Sequence, residues 1–371
     1  HYTIVLSADM ERVKQFLSSP ALWKIVRLLW SPSGQVAIGV VFSLGLGWLA
    51  VRGIKWSLVG QSFQDFSWWY AIMALGLFLL SLFLRAYRWQ VLFVTERVSL
   101  FRLFLVQNTG IGLNNLSPVR VVSEPSQFAM LTLRYKVRGG VAAATLGMER
   151  VLDLVASTAV FATGLIFIPA PARGAFWWPV LVAFVLSSMA VLIFYLLGVA
   201  SRKTFTGRLA FANSFLQSVA RLERAKALLA YSLFLSVVYW FMVGVCAWLL
   251  SEGMGLGISP LISTLAIMST LYFATVVPAM PGAVGTFEFA IVYFLGQFYG
   301  VGQAMAFSYA LAVHALLFLP PTVIAILVIV TIGLTPRKGR QRALPKAEEV
   351  APAPNTSVPG PMDGPDASKG D

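Results

Sequence analysis

The chain has 371 residues, of which 58% are hydrophobic and only 12% charged, with a formal net charge of +13. A soluble domain carries about 25% charged residues, so the composition excludes an ordinary soluble protein and implies a polytopic helical membrane protein. The Lys and Arg excess clusters between apolar spans, as the positive-inside rule requires, which argues against a nucleic-acid partner; one cysteine, Cys246, and two histidines leave no material for an internal disulfide or a His/Cys metal centre.

In chain order, residues 1–33 read as an interfacial N-terminal segment. Trp23, Val26 and Trp30 recur at helical spacing with Lys24 and Arg27 between them. No cleavable signal peptide is legible, and a start at His1 leaves room for an upstream piece. Residues 34–335 form the transmembrane domain. The first span is Gln35–Val51, followed by a polar loop with Arg52 and Lys55, and then by the interfacial aromatics Trp68, Trp69 and Tyr70. The second span is Ala71–Val94, with Arg85 and Arg88 near its far end, where both side chains could snorkel to headgroups.

Leu100–Val106 is apolar, but residues 107–127 hold Asn108, Asn114, Asn115, Arg120 and Glu124, interrupted by Gly110, Gly112 and Pro118. This stretch is expected to be a re-entrant or broken segment, buried in protein or lining a wet cavity. Arg134, Lys136 and Arg138 mark the cytoplasmic side. Spans at Gly140–Ile168 and Trp177–Val199 follow, then a basic, amphipathic stretch over residues 200–226. Leu228–Leu250 and Pro260–Val277 are apolar. PAMPGAVGTFE, residues 278–288, breaks the helix a second time before Phe287–Tyr299. Met305–Ile332 is the last span and holds His314 and the Pro320-Pro321 pair. Residues 336–371 read as a basic patch and a disordered tail. The count is seven or eight membrane elements, all helical, two of them broken, with both termini cytoplasmic.

Two interrupted helices in different halves of a chain are a transporter pattern; the plainer reading is two kinks that only shape the bundle. Freed backbone N–H groups at a half-helix start favour an anion, and Arg120 would add charge beside them. Glu124 and Glu288 would balance charge or hold the broken backbone. Glu149 and Asp153, four apart, share a helix face, with Arg150 placed to pair with Asp153. Such groups cost about 2.5–3.5 kcal/mol each at a span centre, so they face the interior, as an ion-pair lock, a binding surface or both. His314 reads first as a satisfied packing histidine. No nucleophile constellation, phosphate loop or dinucleotide fingerprint is present, so neither enzymatic chemistry nor a cofactor is expected.

Five features together resemble the lysylphosphatidylglycerol synthase transmembrane region, a flippase-like domain. They are Arg85-x2-Arg88-Trp89; Asn115-Leu116-x-Pro118-x-Arg120 with Glu124; Glu149-Arg150-x2-Asp153; Pro281-Gly282-x2-Gly285-x2-Glu288; and the order of the spans. The resemblance covers roughly residues 35–335. It departs at Ser123, Gln127, Ala283 and His314, where relatives tend to have Gly, Arg, Gly and Arg, and these departures bear on substrate choice. It implies translocation of a phospholipid or lipid-linked phosphate across a prokaryotic cytoplasmic membrane. No soluble aminoacyltransferase domain follows Ile332 in this sequence, so synthase activity is not expected of it. The candidate substrate-binding residues are Asn115, Arg120, Glu124, Glu149, Arg150, Asp153, Gly282, Gly285 and Glu288, with Arg85, Arg88 and His314 as secondary candidates. The alternative is an accessory protein that presents a lipid to a separate glycosyl- or aminoacyl-transferase.

Overall fold

The computed structural model describes residues 31–117, 122–164, 166, 170–200, 210–277 and 279–334, all but the last few in one compact unit. The N-terminal segment, Pro118 and Arg120, the start of the basic stretch after residue 200 and the tail lie outside them. Among the described residues there are helices and no strands. They are α1 Pro32–Val51, α2 Trp56–Gln64, α3 Trp68–Val91, α4 Leu100–Leu116, α5 Ser123–Ala129 continuing as a π-turn over Met130–Arg134, α6 Gly139–Gly164, α7 Ala170–Ala200, α8 Ala210–Arg224, α9 Lys226–Gly253, α10 Pro260–Val276, α11 Thr286–Tyr299 and α12 Gln303–Leu334.

Residues 34–51, α3, residues 181–199, α9 and residues 303–331 are long and apolar enough to cross a bilayer. With 26 residues α6 is as long, about 39 Å at 1.5 Å per residue, but it carries Glu149, Arg150 and Asp153. The protein is a multi-pass membrane bundle. Ser31 caps α1 by accepting the Gly34 N–H at 3.0 Å, with Pro32 in the first turn. Its core joins α3 along α9 and α6 against α8 and α9.

Contacts between helix ends give the topology. Ser67 N–H donates to Gly253 O at 2.9 Å, so α3 begins where α9 ends. The Gln303 amide donates to Ala50 O and Arg52 O at 2.9 and 3.2 Å, which places the start of α12 beside the end of α1. At the opposite end of α3, Gln90 donates to Val98 O at 2.8 Å. There Glu96, before α4, meets Arg138, after the π-turn, at 2.5 Å. The α4–α5 segment therefore enters and leaves at one end of the bundle. Helices α10 and α11 start after α9 and finish before α12, and so form a second hairpin from the other end. With 17, 17 and 14 residues, α4, α10 and α11 measure only about 21–26 Å, short of a ~30 Å hydrocarbon core. Both breaks expected from sequence are thus re-entrant hairpins, and they enter from opposite ends.

The first break falls between Leu116 and Ser123, inside the expected stretch. Gly110 and Gly112 do not interrupt α4; they let it pack. A Cβ on Gly110 would lie 2.5 Å from Gln127, and one on Gly112 would lie 2.4 Å from Pro321 O on α12. The amphipathic helix α8 does more than lie on a surface: Val219 and Leu222 are buried, and a Cβ on Gly140 would meet Phe215 N at 2.4 Å.

Candidate functional site

Five helices, α3, α4, α5, α6 and α9, bring the intramembrane charges and their polar partners together. Arg88 of α3 is fully buried. Its Nη1 donates to Asp153 Oδ1 and to Ser236 Oγ, each at 2.9 Å, and its Nη2 donates to Glu149 Oε1. One helical turn earlier, Arg85 Nη2 donates to Asp153 Oδ2 at 3.2 Å and its Nη1 reaches the Tyr239 hydroxyl at 3.5 Å. Helix α4 adds Gln107, whose amide donates to Glu149 Oε1 at 3.2 Å. The forked guanidinium suits this arrangement, because one side chain serves two carboxylates in fixed geometry. Arg85 and Arg88 do not snorkel. They are the centre of the network, since α6 and α9 close over the face they occupy.

Arg150 also departs from expectation. Helical spacing puts it against Asp153, but Asp153 is taken by Arg85 and Arg88. Arg150 turns the other way and pairs through Nη2 with Glu124 Oε1 of α5 at 3.0 Å, with its Nε 3.5 Å from Glu149 Oε2. The side chains of Arg150 and Glu124 are 32% and 46% exposed, against 1% for both Arg88 and Glu149. The network therefore has a locked interior and one accessible pair. Among the described residues, three arginines face three carboxylates.

Beside the accessible pair is a pocket of about 350 Å³ walled by Arg150, Asp153, Ser157 and Trp240, with Met268 and Leu271 contributed by α10. It has a charged wall from α6 and an apolar wall from the second hairpin. Among the described residues, the buried indole Nε1 of Trp240 has no hydrogen-bond acceptor, and the buried Nε of Arg150 has only its 3.5 Å ion-pair contact with Glu149.

The second break has its own polar cluster. Pro281–Ala283 form one 3-10 turn, with Gly282 and Gly285 at φ 69° and 81°, values that glycine adopts without penalty. Ser43 of α1 accepts the Met280 N–H at 2.8 Å and shares a hydrogen bond with Thr286 at 3.1 Å. Glu288 accepts the Gly285 N–H at 2.6 Å and contacts His314, so it holds the broken backbone; His314 is a satisfied buried histidine. Asn115, at the tip of α4, donates to Thr322 Oγ1 at 3.1 Å. A Cβ built on Gly282 would stand 3.7 Å from Asn115 O. The hairpin tips thus meet at Asn115 and Gly282, whereas Glu124 and Glu288 serve different clusters, one with Arg150 and the other with His314.

Sequence reasoning missed Ser236 and Tyr239, although Ser232, Ser236 and Tyr239 at spacings of four and three form a polar stripe on α9. Ser43 had no signal, being a lone serine in an apolar span. Ser123 and Gln127, two of the departures from the family pattern, turn out to be partners: the Gln127 amide donates to Ser123 Oγ at 2.9 Å.

A family model described as lysylphosphatidylglycerol synthase TM region matches residues 36–325. No curated protein and no solved structure matches the chain. The matched range includes both hairpins, the buried network and the pocket, and ties the chain to lipid handling. It is a multi-pass membrane protein that belongs to the lysylphosphatidylglycerol synthase TM region family.

Proposed function

We propose that this protein moves a membrane lipid with a phosphate headgroup between leaflets, and that Arg150 is the residue that takes the phosphate. The observation that carries this reading is Arg150 on the wall of an intramembrane pocket, held there only by an accessible ion pair with Glu124 beside it. A half-exposed ion pair is weakly held, worth roughly 0–1 kcal/mol, so Glu124 is a resting counter-ion that a phosphate can replace. Arginine binds phosphate through two parallel N–H donors. The locked Arg85–Arg88–Glu149–Asp153 group sets the position of α6 and so of Arg150. Two hairpins entering from opposite ends, with tips in contact, is a geometry in which transporters place a substrate at mid-membrane. The headgroup would occupy the pocket while the acyl chains stay in lipid. On this reading the protein transports lipid and performs no chemistry on it.

The test is a reconstituted assay of fluorescent phosphatidylglycerol movement in proteoliposomes. Arg150→Gln is expected to abolish protein-dependent movement while melting like wild type; Glu124→Gln is expected to slow release of the headgroup and reduce turnover. Wild-type rates in Arg150→Gln would refute the assignment.

A further inference from the structure

The second break is closed by groups that this lipid pathway does not use. One carboxylate oxygen of Glu288 accepts the Gly285 N–H at 2.6 Å. The other meets Nδ1 of His314 on α12. Nε2 of the same ring lies 2.8 Å from the Gly282 carbonyl oxygen. Both residues are buried, and the ring is flanked by Phe287 and Phe318. Toward this turn α1 presents Ser43 and α4 presents Asn115, both neutral.

Donor counting places the protons. A carbonyl oxygen only accepts, so Nε2 carries a hydrogen. In a neutral imidazole Nδ1 is then a lone pair. An ionised carboxylate offers only lone pairs as well, and the two would repel. One further proton must therefore lie between Glu288 and His314. It sits either on the carboxyl, giving a neutral acid and a neutral ring, or on Nδ1, giving a carboxylate and an imidazolium. Both arrangements have zero net charge and the same proton count, so the proton belongs to the pair and not to either residue. Neutrality suits a membrane interior, where an unbalanced charge is costly.

We propose that Glu288 and His314 form a single proton-binding site that holds the second broken segment closed, and that loss of its proton frees the turn at Gly282. When the proton leaves to water, one ring hydrogen remains for two contacts. On Nε2 it leaves two lone pairs facing each other at Glu288; on Nδ1 it leaves the Gly282 carbonyl without its donor, so the closed arrangement is lost either way. Gly282 is the point at which the second hairpin touches Asn115 of the first, so the contact between the tips becomes proton-dependent. Any coupling of this proton to lipid movement rests on the function proposed above; the proton site itself does not.

The chain has only two histidines, His1 and His314. Isotope-labelled histidine in the full-length protein in nanodiscs therefore yields two imidazole signals, and His1→Ala assigns them. The expected result is an His314 ring whose Nε2 remains protonated at low pH and whose Nδ1 resonance shifts as pH rises. In Glu288→Gln the amide can donate to Nδ1 while its oxygen accepts the Gly285 N–H, so this variant mimics the proton-loaded state and loses the pH response. Backbone hydrogen exchange over residues 279–290, corrected for intrinsic pH dependence, should show protection lost at high pH in wild type and retained in Glu288→Gln. An His314 signal that titrates like a free imidazole, or exchange with no pH dependence in wild type, overturns the proposal. If Glu288→Gln does not fold, the wild-type titration decides alone. A protein that moves no lipid yet shows these signatures would sink the transport reading and keep the proton site; movement without them would do the reverse.

Discussion

Arg88 is fully buried, so Glu149 and Asp153 must balance its charge within the protein while Ser236 accepts a further hydrogen bond. Removing one partner of such a buried pair leaves the others uncompensated and costs about 3–5 kcal/mol. Arg88→Met should therefore lower unfolding stability in detergent by about that amount, and Arg88→Lys should rescue little because an ammonium cannot fork to two carboxylates. Arg150→Gln, at the half-exposed pair, should shift stability by no more than about 1 kcal/mol. Thermal melts of the three variants check this; a larger loss for Arg150→Gln would reverse the roles given to the two arginines. The sequence made these residues conspicuous as charges in an apolar setting. It did not show which carboxylate each would meet, because helical spacing reports neighbours on one helix, while Arg88 finds its partners on α6 and α9.

At the scale of elements, the hairpin turns are the exacting parts. Gly285 has φ 81°, and a Cβ there would stand 2.3 Å from Ser43 O. Ala283, two residues earlier, adopts φ 57° despite its Cβ. Opposite effects follow in one turn. Gly285→Ala should destabilise by more than about 1 kcal/mol and loosen α11 from α1. Ala283→Gly should stabilise by about 0.5–1 kcal/mol, the relief of left-handed strain less the added entropy of the unfolded chain. Melting temperatures of both variants test this, and a gain from Gly285→Ala would contradict the geometry. The second break was legible because Pro281, Gly282 and Gly285 cannot continue a helix. The first was legible at Pro118, but the roles of Gly110 and Gly112 were not, because a glycine looks the same in sequence whether it breaks a helix or lets another segment approach, and here both do the second.

At the scale of the molecule, we propose from the positive-inside rule that the Arg134–Arg138 turn is cytoplasmic and the α9–α10 turn outside. A membrane-impermeant maleimide added to intact cells should label Ser259→Cys and leave Arg134→Cys unlabelled until the cells are opened; Cys246 is buried and contributes little background. Labelling of Arg134→Cys from outside would invert the topology. What the sequence determined by itself is the solvent: its apolar runs, their lengths and the charges between them identify a helical membrane protein with two interruptions, because hydrophobic length and loop charge act locally along the chain. Only the tertiary structure decided that the interruptions are opposed hairpins meeting at Asn115 and Gly282, that Arg85 and Arg88 are central, and that Arg150 faces Glu124. Those outcomes depend on which helices adjoin. In a low-dielectric interior each charge must find a partner across helices, and that pairing is a property of the packed bundle.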